Sequence, residues 1–212
     1  MGCVREFSDA ARQAAGFQLN RVQNGQEPFD WKPLESVGPG VKEIRIWAEK
    51  GYRVIYLAKF AEAIYVLHAF EKKTQRTPKA ELELARRVIA NSSKRGTEME
   101  NSDETPDGEN VFADLGFPPE EAQNLLLRSD VMGAIKDWYD DSKLTQVAAA
   151  RKLAITQPRL NALLKGRIAE FSLDALVGIA SAAGMELALQ VKLAPASMAK
   201  PKSIISTPTA EA

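Results

Sequence analysis

The chain has 212 residues, of which 45% are hydrophobic and 26% are charged, and its 28 Lys and Arg balance its 28 Asp and Glu. Its apolar runs are shorter than the ~20 residues that span a bilayer, and its first residues lack the pattern of a secretory signal, so we expect a cytoplasmic protein outside the membrane. With one cysteine, Cys3, and one histidine, His68, it can form neither an internal disulfide nor a Cys/His metal cluster, and we expect no cofactor.

The balanced charge hides a division of the chain. Residues 1–96 hold 17 Lys and Arg against 11 Asp and Glu, net +6, which leaves 11 against 17, net −6, for residues 97–212. Residues 91–110 are polar and rich in Gly, Pro, Ser and acids, which is typical of a linker. Three prolines interrupt residues 194–212, which we expect to form a disordered tail. The sequence therefore predicts two units.

The basic unit has the pattern of an α+β fold. Ser8 can cap a helix whose apolar positions are Ala11, Ala15, Leu19 and Val22. Three runs with strand character follow, VKEIRIWA, YRVIYLAKF and AIYVLHAF, and the turns between them, EKG and AE, are short enough only for antiparallel pairing. After Pro78, the spacing of Leu82, Ala85, Val88 and Ile89 predicts a second helix.

The short turns predict which side chains share a face of the sheet. They place Arg45 opposite Ile55, and Ile55 opposite His68. By alternation, the face that contains these residues also carries Trp47, Arg53, Lys59, Val66 and Phe70, and Lys72 and Lys73 follow the last strand. The opposite face is nearly uncharged, and we expect both helices to bury it. Its members are Ile44, Ile46, Val54, Tyr56, Ala58, Phe60, Tyr65, Leu67 and Ala69.

A basic and aromatic face with one histidine suits RNA chemistry. Cleavage by the 2′-hydroxyl needs a proton acceptor, a proton donor and cations that stabilise the charge on phosphorus. His68 can act as acid or base, Arg45, Arg53 and Lys59 can supply the cations without a metal, and Trp47 or Phe70 can stack on a base. The alternative is a solvated face on which His68 is hydrogen-bonded to a neighbour.

Residues 4–90 resemble the phage-derived HigB-type toxins of the RelE superfamily. The resemblance rests on VREF, GFQLNRVQNG, WKPLESVGPGVKEIRI, YRVIYLAKF, YVLHAFEKKTQRTP and ELELARR. It implies an endoribonuclease that cleaves mRNA, usually at the ribosome, through basic side chains on the concave sheet face. Carried over by position, the catalytic candidates are Arg45, Arg53, Lys59, His68, Lys72 and Lys73. The family pattern has a further β-strand before VREF, so we expect the toxin unit, residues 1–90, to be truncated.

The acidic unit, residues 111–193, contains a helix-turn-helix pattern. A long helix is predicted from Pro119 through the segment PEEAQNLLLRSDVMGAIKDWYDDS. In the segment that follows, LTQVAAARKLAITQPRLNALLKG, Thr145 can cap one short helix and Thr156 a second, with Ala154 and Ile155 in the turn between them. The alternative is an ordinary hairpin of two helices.

The second short helix carries side chains that read DNA. Gln157, Arg159 and Asn161 project from its beginning, where Arg, Asn and Gln can pair with base edges, and Lys165 and Arg167 suit phosphates. Thr156 completes the predicted DNA-binding set. Residues 143–167 hold six Lys and Arg and no acid, so the motif is basic within an acidic unit.

Residues 110–184 resemble the HigA-type antitoxins of the Cro/repressor helix-turn-helix family. The resemblance rests on NVFADLGF, LTQ, TQPRLNALLKG and FSLDALVGIASAAG. Two positions differ from the family pattern: Ala154 stands where glycine is usual, and Ala148 where glutamate is frequent. After Gly184, the alternation in MELALQVKL predicts a strand. That strand can pair with its copy in a homodimer on a palindromic operator or add to the open edge of the sheet.

Two functions follow from these expectations. The first is a single-chain type II toxin–antitoxin fusion, in which an mRNA-cleaving unit is neutralised by a DNA-binding antitoxin that represses its own promoter. Its partners are operator DNA, mRNA and the ribosome. The second is a transcriptional regulator whose toxin-derived unit is a catalytically dead scaffold.

Overall fold

A computed structural model describes residues 4–60, 63–73, 78–94 and 110–188, and the side chains of residues 59, 60, 63 and 91–94 lie outside the description. The strands are β1 (Trp31–Pro33), β2 (Val41–Trp47), β3 (Gly51–Phe60) and β4 (Ala63–Glu71). The helices are α1 (Asp9–Gln23), α2 (Lys79–Lys94), α3 (Val111–Asp114), α4 (Pro119–Ser142), α5 (Gln146–Lys152), α6 (Gln157–Leu164) and α7 (Leu173–Ala182). Short 3-10 turns span Val4–Glu6 and Ile168–Glu170. None of the described helices is both long and apolar enough to cross a membrane.

The four strands form one antiparallel sheet in the order β1-β2-β3-β4. Helix α1 precedes the sheet in the chain, and helices α2 to α7 follow it. This confirms the predicted α+β class. Helix α1 begins where the sequence predicts, because the Ser8 hydroxyl accepts a hydrogen bond from the amide of Ala11 at 3.4 Å. Its apolar side packs on Ile44, Val54 and other residues of the uncharged sheet face.

The register of the sheet differs from the prediction between β2 and β3. Ile55 lies opposite His68, as predicted, but Arg45 lies opposite Arg53 rather than Ile55. Gly51 belongs to β3 and pairs with Trp47, so the turn occupies residues 48–50. The shift along β3 is two residues, which preserves the side-chain alternation, so Arg45 and Arg53 still share a face.

A β-bulge changes the faces of three residues of β4 from those predicted. The pairing passes from Ile55 opposite His68 to Tyr56 opposite Val66, which leaves Leu67 as the extra residue on β4. Leu67 is buried with Ile55 rather than with Ile44, and Tyr65, which pairs with Leu57, packs on the same cluster. Val66 pairs instead with Tyr56, which belongs to the Ile44 face. The predicted faces of Tyr65, Val66 and Leu67 were therefore wrong.

Helix α2 covers the sheet face that was predicted to be open. Its residues Leu82, Ala85, Val88 and Ile89 pack in a cluster with Leu34, Val37, Val41, Ile55, Leu67 and Phe70. The expectation that both helices lie on the Ile44 face was therefore wrong. The reason is that the basic face is itself half apolar, since Val41, Ile55 and Phe70 alternate with the charged residues and gain by burial.

The acidic half packs directly on α1 and completes the layer that covers the Ile44 face. Val111, Phe112, Leu115, Phe117 and Leu125, from α3 and the start of α4, share one core with Ala11 and Ile44. Acidic residues of α4 face polar groups of α1: Asp137 pairs with Arg21 at 2.9 Å, and Asp130 accepts a hydrogen bond from Asn20 at 3.2 Å. The two halves therefore meet through both apolar and ionic contacts.

The ends of the predicted units differ from the sequence interpretation. Helix α2 continues to Lys94, four residues into the predicted linker, and residues 95–109 lie outside the described residues. Residues 185–188 form no strand, while residues 189–193 of the predicted strand and the tail, residues 194–212, are also outside the description.

Candidate nucleic-acid interfaces

Helices α5 and α6 form the predicted helix-turn-helix. The Thr145 hydroxyl accepts a hydrogen bond from the amide of Ala148, and the Thr156 hydroxyl accepts one from the amide of Arg159, each at 3.3 Å. Both predicted caps are therefore present. Leu153, Leu160 and Leu163 are buried between the helices and α4, which fixes the angle between α5 and α6.

The turn between α5 and α6 holds Ala154 in a left-handed conformation, with φ of 55°. We expect Ala154→Gly to raise the free energy of unfolding by about 0.5 to 1 kcal/mol, because glycine adopts this φ without the clash that a Cβ meets. Ala148→Gly is the matched control: Ala148 is exposed within α5, so glycine there should lower stability by about as much. Denaturant unfolding of both variants checks the opposite signs, and a loss of stability with Ala154→Gly contradicts the prediction.

The exposed side of α6 carries the predicted base-reading residues. Gln157 and Arg159 are exposed, and Asn161 is half-buried. The Arg159 guanidinium lies 4.8 Å from the ring centre of the buried Phe171, a cation–π contact that restricts its orientation. Thr156 is exposed beside them, although its hydroxyl is engaged as the helix cap.

Two further cations lie beyond the end of α6. Lys165 is exposed, and Arg167 is half-buried with an ion pair to Glu170 at 3.3 Å. The arrangement therefore presents an amide and a guanidinium at the start of the helix and cations at its end, which suits contacts to base edges and to phosphates respectively.

The basic sheet face is organised around a buried ion pair. Arg53 is 1% exposed, and its Nε lies 3.4 Å from the carboxylate of Glu43, which is also 1% exposed. Burial lowers the pKa of the Arg53 guanidinium, and Glu43 opposes that shift. Lys32, on β1, reaches the same carboxylate at 3.5 Å. Arg53 is therefore held beneath the surface rather than presented on it.

The other described cations of this face are Arg45, Lys72 and Lys73. Arg45 forms an ion pair with Asp30 at 2.9 Å, and the Trp47 indole donates a hydrogen bond to the same carboxylate at 2.9 Å. Trp47 is 42% exposed, so its ring is accessible for stacking. Desolvation and the positive charge of Arg53 lower the pKa of Lys72. Lys73 is exposed, and the side chain of Lys59 lies outside the described residues.

His68 lies beneath α2 and is 3% exposed. Its Nε2 lies 2.5 Å from a carboxylate oxygen of Glu81, on α2, and its ring stacks on Phe70 with 5.4 Å between ring centres. This hydrogen-bonded histidine is the alternative that the sequence left open. With α2 in place, His68 is buried, whereas Trp47 and Lys73 are exposed to solvent.

Three residues of this face were not anticipated from the sequence: Asp30, Lys32 and Glu81. Asp30 and Lys32 lie in a segment rich in Pro and Gly that predicts a loop, and only the pairing of β1 with β2 brings Lys32 to Glu43. Nothing in the α2 pattern distinguishes Glu81 from an ordinary solvated residue. Among the described residues, no group of three or more His, Cys, Asp or Glu could hold a metal ion.

Comparison with known protein families divides the chain at the same place. Residues 3–90 match the family model described as phage derived protein Gp49-like, and residues 111–192 match one described as a helix-turn-helix domain. The chain carries a toxin-family domain of the Gp49-like kind, followed by a helix-turn-helix domain. Searches of curated proteins and of solved structures give no match. The Gp49-like and helix-turn-helix domains together fit a toxin–antitoxin or regulator fusion, and the second domain supports DNA binding.

Proposed function

We propose that this chain is a single-chain type II toxin–antitoxin fusion of the HigB and HigA kind. Its helix-turn-helix domain binds the operator of its own gene as a repressor, and its Gp49-like domain is an mRNA-cleaving unit that the folded chain holds inactive. The observation that carries the proposal is the capped α6, which presents Gln157 and Arg159 from a motif whose net charge is +6.

The proposed operator contacts divide by chemistry. Arg159 and Gln157 pair with base edges in the major groove, and Asn161 adds a third polar group on the same helix. Thr156, Lys165 and Arg167 hold phosphates on either side, which sets the position of α6 without reading sequence. Because phosphate contacts release counterions, binding should weaken steeply as salt concentration rises.

We also propose that the chain binds DNA as a homodimer through its carboxyl-terminal domain. Helix-turn-helix proteins read two half-sites about one helical turn apart, which needs two copies of α6. The support is exposed apolar surface in that domain: Val177, on α7, is 39% exposed and Leu187 is 43% exposed. The mass of the protein–DNA complex, measured by light scattering, should equal that of two chains on one operator.

The proposed RNA site uses the basic sheet face. Lys32, Arg45, Arg53, Lys59, Lys72 and Lys73 supply positive charge for the phosphates, and Trp47 stacks on a base. His68 accepts the proton of the attacking 2′-hydroxyl and returns it to the leaving 5′-oxygen, and it can reach RNA only after α2 leaves the sheet. Since the helix-turn-helix domain packs on α1, on the opposite side of the sheet, α2 is the element that keeps His68 from RNA.

Weakening the α2 contact should expose the RNA site. We expect Leu82→Ala with Ile89→Ala to raise mRNA cleavage about tenfold above the wild-type chain, because truncating these partly buried side chains removes on the order of 1 to 2 kcal/mol that holds α2 on the sheet. Cleavage is measured by mapping new 5′ ends of mRNA in a translation extract. Adding His68→Gln to the double variant should return cleavage to the wild-type level.

Leu84→Ala is the matched control, because Leu84 is 39% exposed on the outer side of α2. It should leave cleavage at the wild-type level. If proteolysis shows that α2 has left the sheet and RNA still stays intact, the second function applies, a transcriptional regulator with a catalytically dead scaffold. The observation in favour of that alternative is that both Arg53 and His68 are buried against carboxylates, Glu43 and Glu81.

A further inference from the structure

One aromatic residue of the Gp49-like domain lies inside the core of the helix-turn-helix domain. Phe17, on α1, is 0% exposed and belongs to the hydrophobic cluster of the second domain. The same cluster contains Leu160 and Leu163 from α6 and Ile168 just after it. Met132 and Ile135, from α4, also belong to it. The core behind α6 is therefore built from both domains.

Phe17 and its neighbour Gln18 lie against the turn that ends α6. Gly166 has φ of 69°, and its amide donates a hydrogen bond to the carbonyl of Leu163 at 2.9 Å, which closes the helix. A Cβ at Gly166 would lie 3.0 Å from the Phe17 ring and 2.6 Å from the Gln18 amide nitrogen. The side chains of Phe17 and Gln18 thus pack directly on the backbone at the end of α6.

Other contacts hold Phe17 in place. The Phe29 ring meets it edge to face, with 4.9 Å between ring centres and an angle of 87°. The side-chain oxygen of Gln18 accepts a hydrogen bond from the amide of Phe29 at 2.8 Å. On the next residues of α1, Asn20 donates a hydrogen bond to Ser129 at 3.0 Å, and Arg21 pairs with Asp137. These contacts hold α1 in a defined position against α4 and the end of α6.

We propose that Phe17 is a positioning residue for DNA reading, so that the Gp49-like domain is a structural part of the DNA-binding unit. The inference rests on the proposed operator binding and goes beyond it, because Phe17 is fully buried and is not one of the proposed DNA contacts. A helix of eight residues has little stability alone, so packing at its base sets the orientation of α6. Phe17 supplies that packing at the end opposite to Gln157 and Arg159.

The test is operator affinity of the full chain. A duplex of the region immediately upstream of the gene serves as the probe, and binding is measured by fluorescence anisotropy at a temperature where every variant is folded. We expect Phe17→Ala to weaken binding about tenfold and Phe17→Leu to recover most of the loss. Hydrogen exchange of the free protein should show faster exchange at the α6 amides in Phe17→Ala.

Phe7→Ala is the matched control, since Phe7 is a buried phenylalanine of the same domain that packs on Tyr52 instead of on α6. It should lower the unfolding midpoint while leaving operator affinity unchanged. Equal weakening by Phe7→Ala, or wild-type affinity in a folded Phe17→Ala, would overturn the inference. If Phe17→Ala does not fold, the less disruptive Phe17→Val takes its place, and wild-type affinity together with wild-type exchange at α6 in that variant overturns the inference. Failure of the wild-type chain to bind the duplex counts against operator binding instead.

Discussion

We expect replacement of Gly16 by alanine to lower the free energy of unfolding of this protein, and the same replacement at Gly178 to raise it. Both glycines lie within helices, α1 and α7, where alanine is normally preferred by about 0.5 to 1 kcal/mol. At Gly178 a Cβ meets nothing within 4 Å, so that gain is realised. At Gly16 a Cβ would lie 2.5 Å from the buried ring of Phe112, and the resulting overpacking should cost about 1 to 3 kcal/mol.

The consequence of Gly16→Ala extends beyond stability, because Phe112 belongs to α3 and Gly16 to α1. The added methyl group should therefore push the helix-turn-helix domain away from the Gp49-like domain. Calorimetry should show a lower unfolding temperature in Gly16→Ala, by roughly 2 to 4 °C for each kcal/mol, and a higher one in Gly178→Ala. An increase in both variants would mean that Phe112 moves aside freely and that the contact between the domains is loose.

The double substitution Gln157→Ala with Arg159→Ala should strongly weaken specific operator binding. Each bidentate contact to a base is worth about 1 to 3 kcal/mol, so losing two reduces affinity roughly 30-fold or more. Arg159 should account for the larger share, because its contact with the Phe171 ring holds the guanidinium in place before DNA arrives. Affinity for unrelated DNA should fall much less, since phosphate contacts carry most of that binding.

Gel shifts with the upstream region and with an unrelated duplex of equal length check this prediction. Arg87→Ala is the matched control for the loss of one positive charge, because Arg87 is exposed on α2, on the far side of the sheet from α1. It should leave both affinities unchanged. Unchanged specific binding in the double variant would contradict the assignment of α6 as the helix that contacts the bases.

Local features of this chain were predictable because their causes are local. Ser8, Thr145 and Thr156 cap their helices as the sequence predicts, since a capping hydroxyl reaches an amide only two or three residues away. The position of the turn after α5 was also predicted from the sequence. Ala154 adopts there the left-handed conformation that glycine would favour. The alternation along the strands placed Arg45, Arg53 and His68 on one face, even though the register of β2 and β3 was wrong by two residues.

Contacts between distant segments were not predictable in the same way. The alternation of a strand says which side chains share a face, but not which helix covers that face. Both faces of this sheet carry apolar residues, so the alternation along the strands is compatible with α2 on either face. Only the tertiary structure shows that α2 lies over His68. The bulge at Leu67 was not predictable for the same reason. It depends on how β4 pairs with β3, and the local sequence pattern does not determine that register.

The sequence by itself determined the two units, their opposite charges, the helix-turn-helix and the residues that present its polar groups. The tertiary structure alone decided that the units share their cores, with Phe112 against Gly16 and Phe17 beneath α6. It also decided that Arg53 and His68 are buried beside carboxylates. The physical reason is that capping and periodicity act over a few residues, whereas burial is settled by whichever apolar surfaces of the whole chain fit together most closely.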